Sequence, residues 1–515
     1  MSCLCHRYKL WLGATLVCTL YYAPSGYGSD LLNNPEDVVY EFVTSTLEHR
    51  YGLKRLPSET ASIIWAITVT LFSVGQLIGS LLAPILADRW GRKPSLVYAS
   101  NGLAMLAGFF GLIARPTRVA EILLLSRLLS GIRSGISCTI AATYLMESAP
   151  SDVRGLVGTM LDFSAGIGNA LAFLLGMPFL LGTKLSWPYL CGMDLFLGVI
   201  GLLAGSLLVE SPRYLLIVKK QREEAKKATR YFHGDLADSR TLLSHQYLEE
   251  TSHGYIQKTN WSDIIIANKK ALLVSLCIGL LPGLGIYQAL AAYSTPLLME
   301  EGMPINTAST YSLLMSIFEL AGTAVALVLN QLVLRRQVTL WVGGLSVTVN
   351  FLAAILLFLN ETTQFGSTGL LHASATLFIL LAALCGMGMY PMVAIAPPEI
   401  APLQARALAS ALAHTSMAAG DIFCKLILWP AYQLMGGIVF LLFACFNLPC
   451  LIYLAWNQPE SHPLCQQPIG ERRRLLTTDR DSVRKRRSSG YQSTDSITRM
   501  QESDPRTSNS DPMTL

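Results

Sequence analysis

Charged side chains are scarce in this chain, and their scarcity excludes most of what a polypeptide of its size could be. Of 515 residues only 14% are Asp, Glu, Lys or Arg, 52% are hydrophobic, and mean hydropathy is +0.43. A water-soluble domain covers itself with roughly 25% charged residues. No G-x-x-x-x-G-K-[ST] loop is present to cradle a nucleotide phosphate, no H-E-x-x-H to hold zinc, and no G-x-S-x-G in a strand-to-helix setting. No C-x-x-C pair stands at metal spacing either. The sequence therefore calls for no enzyme chemistry, no metal, no cofactor and no nucleic acid.

What is abundant is apolar sequence in runs of about 20 residues, the length that crosses a hydrocarbon core of roughly 30 Å at 1.5 Å per residue. Twelve such runs are expected as helices, since a helix satisfies its own backbone in lipid. The first six lie at Leu10–Gly28, Ser62–Ala87, Leu96–Ala114, Ala120–Met146, Leu156–Leu181 and Trp187–Val209. The second six lie at Ala271–Ala292, Thr307–Leu329, Thr339–Leu359, Leu370–Ala396, Ala407–Met435 and Ile438–Trp456. The expected organisation is an N-terminal bundle over 1–209, a polar linker with short helices over 210–270, a second bundle over 271–456 and a tail over 457–515.

Lys and Arg resist translocation, so the side on which short-loop cations gather is the cytoplasmic one. Arg89, Arg92, Lys93, Arg154, Arg335, Arg336 and Arg406 all follow even-numbered spans, with the polar linker and the Arg-rich tail on the same side. Both termini are then cytoplasmic. The first outer loop, with His49, Arg50, Lys54 and Arg55, is an exception. Of eleven cysteines, eight fall in spans and Cys3, Cys5 and Cys465 on the cytoplasmic side, so no disulfide is expected.

The two halves repeat each other. Glu147-Ser-Ala-Pro150-Ser-Asp-Val-Arg154 ends the fourth span and Glu399-Ile-Ala-Pro402-Leu-Gln-Ala-Arg406 the tenth, an offset of 252 residues (399 − 147). Gly91-Arg92-Lys93 is echoed by Leu334-Arg335-Arg336, and Glu210-Ser211 by Glu460-Ser461. Parallel repeats of six spans suit transporters that rock two halves about a midplane site. In that scheme Arg89, Arg92, Glu147, Arg154, Glu210 and Arg213, with Arg336, Glu399, Arg406 and Glu460, form ion pairs that hold an inner gate shut. Anchoring by the cations alone is the other reading, but it has no need of acids at matching positions.

Asp88-Arg-Trp-Gly91-Arg92-Lys93, Arg127-Leu-Leu-Ser-Gly131, Glu147-x-x-Pro150-x-x-x-Arg154-Gly155, Trp187-Pro188 and Glu210-Ser211-Pro212-Arg213 resemble the animal facilitative hexose transporters, sugar porters of the major facilitator superfamily. The likeness is dense in the first half and thin in the second. It implies the major facilitator fold and alternating-access uniport of a hexose or related sugar.

The pocket departs from that pattern. Where the family carries Gln-Gln-x-Ser-Gly-x-Asn in the seventh span, this chain has Pro282-Gly283-Leu284-Gly285-Ile286-Tyr287-Gln288, so only Gln288 remains as an amide. The tenth-span tryptophan is replaced by Met392. Three pocket amides become acids, Asp162, Glu319 and Asp421, when counted from neighbouring motifs. An acid at mid-membrane costs about 2.5–3.5 kcal/mol on insertion scales. Lys425, one turn from Asp421, is a candidate local partner, and Arg133 one for Asp162 or Glu319. An acidic pocket suits sugars and polyols, but also a cationic solute or proton coupling. A proton-coupled or cationic-solute carrier, and a non-transporting sugar sensor or degenerate paralogue, are the alternatives to a uniporter.

After Trp456 the composition turns to Ser, Thr, Arg and Asp. Glu471-Arg-Arg-Arg-Leu475-Leu476 fits an acidic dileucine signal for a clathrin adaptor, and Arg484-Lys-Arg-Arg487 before Ser488 and Ser489 fits a basophilic kinase site. The compartment is then the plasma membrane or an endosomal or lysosomal membrane. Two N-x-[ST] sequons test the orientation: Asn360 lies in an outer loop and Asn260 in the cytoplasmic linker. Glycosidase treatment should shift the native chain and Asn260→Gln, but not Asn360→Gln; a glycan on Asn260 would invert the topology.

Overall fold

The computed structural model describes residues 8–52, 57–150, 153–233, 265–362, 368–401 and 405–459. The side chains of Arg154 and Arg406 lie outside the described residues, as do Asn260, Glu460, the dileucine residues Glu471, Leu475 and Leu476, and the kinase site at 484–489. Among the described residues there is no strand, and nine helices are long and apolar enough to cross a membrane. One of the nine, Leu408–Asn457, turns at Gly436–Ile438 and forms two spans. Two further expected spans, the first and the fourth, are also helical. The first is divided into Tyr8–Val17, Cys18–Tyr22 and Ala23–Asp30, and the fourth, Ala120–Ser148, carries Arg127 and Arg133, which lower its hydropathy. Helix therefore stands at each of the twelve expected positions.

The spans in order are the divided first, then Ser58–Trp90, Arg92–Thr117, Ala120–Ser148, Arg154–Leu175 and Trp187–Leu207. The second half follows with Lys269–Glu300, Ile305–Leu332, Arg335–Thr362, a divided tenth span, Arg406–Met435 and Val439–Asn457. Several spans run a few residues longer than the apolar runs, because polar residues continue the helix past the hydrocarbon. The fifth instead ends at Leu175, six residues before the expected Leu181 (181 − 175), where Gly176-Met177-Pro178 follows, and the sixth at Leu207, two before Val209 (209 − 207). The first outer loop contains an unforeseen helix, Glu36–Tyr51, whose Arg50 pairs with Glu121 at 2.7 Å. Two short helices after the sixth span, Pro212–Ile217 and Arg222–His233, dock beneath the first half. Ser211 caps the former by accepting the Tyr214 N–H, and Phe232 packs edge-on against Tyr144.

Burial is inverted relative to a soluble protein. Trp341, Leu434 and Trp456 are about four-fifths exposed, whereas Thr68, Ser73, Ser134 and Lys425 are wholly buried. Lipid takes the apolar outside, and polar groups turn inward to find donors and acceptors.

Where helices must approach closely, glycine allows it. Gly75 and Gly79 in the second span face Gly131 and Gly135 in the fourth; a Cβ at Gly131 would lie 2.0 Å from the Phe72 carbonyl oxygen, and one at Gly75 2.3 Å from that of Leu128. Neither backbone can yield without separating the spans.

Three spans are broken near mid-depth. The first has a π turn at Cys18–Tyr22 followed by Pro24; the seventh stops after Pro282-Gly283 and restarts at Tyr287; the tenth has a π turn at Cys385–Met389 followed by Pro391. Proline removes a backbone donor and frees a carbonyl, which transporters tolerate only against protein or a cavity. Arg127 donates to the Gly28 carbonyl at 2.7 Å and Arg133 to the Pro24 carbonyl at 2.9 Å, so the fourth span holds the helical segment that follows the break in the first. Gly131→Leu should lower the melting temperature of the purified protein, through overpacking worth about 1–3 kcal/mol. An unchanged melting temperature would show that the two spans do not rely on this contact.

Candidate functional site

The two halves meet mainly where the second span packs on the eleventh and the fifth on the eighth. Between them lies a cavity of about 100 Å³, lined from both halves at the level of the three helix breaks. The first and fifth spans contribute Tyr22, Ser25, Asp30, Asp162 and Asn169; the seventh, eighth, tenth and eleventh contribute Tyr287, Gln288, Glu319, Tyr390 and His414. The helix breaks explain why polar side chains from the first and seventh spans reach it.

Asp162, Gln288 and Glu319 line this cavity as their positions suggest. Tyr22 donates to Asp162 Oδ1 at 3.3 Å, and Asp162 Oδ2 is buried without a donor. Glu319 Oε2 accepts from the Tyr287 hydroxyl at 2.9 Å and from Asn169 Nδ2 at 2.8 Å. The Asn169–Glu319 bond crosses from the first half to the second.

Met392 and Asp421 are placed differently. Met392 is packed in the interior among apolar side chains, and the tenth span turns Tyr390, Val393 and Ala394 to the cavity instead, because its π turn rotates the helix. Asp421 does not line the cavity. Its Oδ2 binds Lys425 Nζ at 2.9 Å and the Ser73 hydroxyl at 2.5 Å, so the local pair foreseen one turn apart is formed. Ser73 comes from the first half, and this cluster too bridges the halves. Arg133 pairs with neither Asp162 nor Glu319 but with Asp194 of the sixth span at 3.2 Å, and Asp194 also accepts from Ser130. Asp30 and Asp194 were missed because the search for intramembrane acids followed family-aligned positions. Asp194 stands within the sixth apolar run and could have been found there, whereas Asp30 lies two residues past the end of the first run at Gly28 (30 − 28). His414 lines the cavity while its Nδ1 donates to the Ser410 carbonyl at 2.9 Å.

The cavity is closed at both ends by contacts between the halves. On the side of the first outer loop, Asn33 donates to the Ala291 carbonyl and to Ser294 at 3.0 Å, and Thr295 donates to Asn34 Oδ1 at 2.9 Å. At the opposite end, Gly155 leaves room for the Arg335 guanidinium, which would lie 2.8 Å from a Cβ there, and Gly158 faces Ile395.

The repeated charges form two matched pairs. Arg92 binds Glu147 at 3.0 Å in the first half, and Arg335 approaches Glu399 at 3.5 Å in the second. Arg335 aligns with Arg92 and approaches Glu399, and Arg336 donates to the Ala455 carbonyl at 2.6 Å. Around the first pair, Ser211 donates to Glu147 at 2.6 Å, and the backbone N–H groups of Arg92, Lys93 and Ser211 converge on Glu210 at 2.8–3.2 Å. Burial pushes the Glu210 carboxyl above its ordinary range, against the pull of those N–H donors. Gly91 sits at φ 111°, and a Cβ on it would meet Glu210 at 2.5 Å, so the motif requires glycine twice over. The Arg92 guanidinium lies 4.8 Å from the centre of the Tyr214 ring. Arg213 follows Pro212 in the same short helix, and Arg89 is exposed and in no ion pair among the described residues. These described pairs lie within one half each. Asn360 donates to Glu301 at 2.7 Å, and a glycosylated amide would keep one N–H for that bond.

Comparison with known proteins follows the same outline. The family model for sugar (and other) transporters matches residues 17–464. Solute carrier family 2, facilitated glucose transporter member 3, of Mus musculus is 28% identical over 456 residues, covering 87% of this chain and 90% of that protein. The Homo sapiens member 9 is 33% identical over 233 residues, covering 44% and 43%. Among solved structures, the major facilitator superfamily proton:xylose symporter XylE superposes with a TM-score of 0.73 at 17% identity, covering 89% of this chain and 98% of that one.

Glu147→Gln leaves Arg92 with only the more exposed Asp88, at 3.4 Å, and Glu399→Gln removes the acid that Arg335 approaches. Spin labels at Arg89 and Gln337, on exposed ends of the two halves, should then report a larger long-distance population, where about 1.4 kcal/mol is tenfold. An unchanged distribution would reduce the two pairs to anchors.

Proposed function

Because the chain belongs to the sugar transporter family, and is a transporter rather than an enzyme, we propose that it carries a hexose or related polyol by alternating access, as a uniporter. The observation that carries this reading is the cavity itself: lined by buried acids and amides from both halves, with contacts between the halves toward each end. A solute leaves such a site only when one set of contacts parts while the other holds. In this reading Asp162, Gln288 and Glu319 contact the solute. The Asn169–Glu319 bond and the Ser73–Asp421–Lys425 cluster make and break as the halves rock. Met392 packs behind the wall. Arg92–Glu147 and Arg335–Glu399, with Arg154, Arg406, Glu210 and Glu460 around them, brace the inner gate on the cytoplasmic side, where both termini lie. Clathrin adaptor and kinase recognition belong to the tail, and the dileucine sets the choice between plasma membrane and endosomal or lysosomal membrane.

The relatives named as facilitated glucose transporters favour uniport, whereas the structural likeness is to a proton:xylose symporter. Proteoliposomes separate the two. Labelled hexoses, polyols and amino sugars should equilibrate across the vesicle for at least one member of the panel, and an imposed pH gradient should leave the plateau unchanged. Accumulation that follows the proton gradient contradicts uniport, and no flux of any of them contradicts the transport reading.

A further inference from the structure

The carboxylates of the cavity receive few hydrogen bonds from the protein. Three carboxylates line it, Asp30, Asp162 and Glu319, each more than nine-tenths buried. Their donors are few: Tyr22 on Asp162, Tyr287 and Asn169 on one oxygen of Glu319, and Ser29 on Asp30 Oδ1 at 3.3 Å. Asp162 Oδ2 and Asn169 Oδ1 are buried with no partner at all. No Lys or Arg is among the lining residues. Lys425 pairs with Asp421, Arg133 with Asp194, and Arg127 with the Gly28 carbonyl and the Phe72 ring. Lys425 and Arg127 also lie near enough to Asp30 to act on it as counter-charges, so Asp162 and Glu319 are the cavity acids with no cation paired to them among the described residues. His414 spends its Nδ1 proton on Ser410.

A neutral sugar answers these carboxylates poorly. Each hydroxyl donates once but brings two lone pairs that want donors of their own, whereas an ammonium brings three donors and no acceptor. A buried carboxylate lacking a counter-charge is costly, and a cationic ligand removes that cost where a neutral one leaves it.

We infer that the solute carries an ammonium group beside its hydroxyls, a protonated amino sugar or amino polyol, with the ammonium at Asp162 Oδ2 and the hydroxyls toward Gln288, Asn169 and Glu319. The inference rests on the sugar-transport reading and narrows its substrate class. The test is equilibrium binding to the purified full chain in nanodiscs near neutral pH, using D-glucosamine, D-glucose, N-acetyl-D-glucosamine, glucamine and sorbitol. Each amine should bind at least tenfold more tightly than its neutral counterparts. Asp162→Asn, which keeps the Tyr22 hydrogen bond and the shape of the site, should bring that ratio close to one. Equal binding of amines and neutral sugars overturns the inference and leaves sugar transport standing. An amine preference that survives Asp162→Asn, Glu319→Gln and Asp30→Asn alike also overturns it. Binding of none of the five, by a protein whose melting transition shows it folded, overturns the inference and the transport reading together.

Discussion

A charge or a broken helix inside a bilayer must find its partner within the protein, because no water is there to supply one. Most of this structure can be read as compliance with that constraint. Arg127 and Arg133 of the fourth span donate to the Gly28 and Pro24 carbonyls of the first, in the segment after its break. Arg133 then requires an acid, which is Asp194 of the sixth. Lys425 requires one too, and takes Asp421 and Ser73. Once these sets close, the first half is bound together through its first, fourth and sixth spans. Two groups left incompletely answered, Asp162 Oδ2 and Asn169 Oδ1, belong to residues that line the cavity between the halves.

The internal repeat shows the same economy at the ends of the helices. Arg92–Glu147 and Arg335–Glu399 occupy corresponding places, each tying the start of one span to the end of the next. In the first half the pair is elaborated by Ser211, Glu210 and the Tyr214 ring, all contributed by the segment after the sixth span. Contacts between the halves are of another kind: neutral amides and hydroxyls at the outer end, Asn169–Glu319 and Ser73–Asp421 in the middle. Hydrogen bonds of that sort, typically worth about 1 kcal/mol each net, can be exchanged during a cycle, whereas a buried ion pair that loses one partner costs about 3–5 kcal/mol. Strong pairs within a half and weaker bonds between halves are what rigid-body rocking asks for.

Much of this was legible in the sequence. Run length placed the helices, and the E-x-x-P-x-x-x-R echo placed the halves in parallel. The four-residue spacing of Asp421 and Lys425 foretold their pairing. What was not legible depended on rotation about a helix axis. Met392 was assigned to the pocket as the counterpart of a family tryptophan, and it is packed among apolar side chains while Tyr390 lines the cavity. Arg335 was left out of the gate set although it aligns with Arg92; it approaches Glu399, and Arg336, about 100° further round the helix, donates to the Ala455 carbonyl. Asp30 escaped because it stands where the first apolar run gives way to the outer loop, and only the fold carries it to Asp162 and Glu319.

The central claim is that the solute sits between the halves in the acidic cavity, and Cys138 offers a native reporter of it. This thiol lines the cavity beside Ser25. Its rate of alkylation by a small neutral thiol reagent, followed at that residue by mass spectrometry, measures access to the site. A saturating concentration of a solute that the protein carries in proteoliposomes should slow the modification of Cys138 several-fold. Equal rates at Cys138 with and without such a solute would contradict the account.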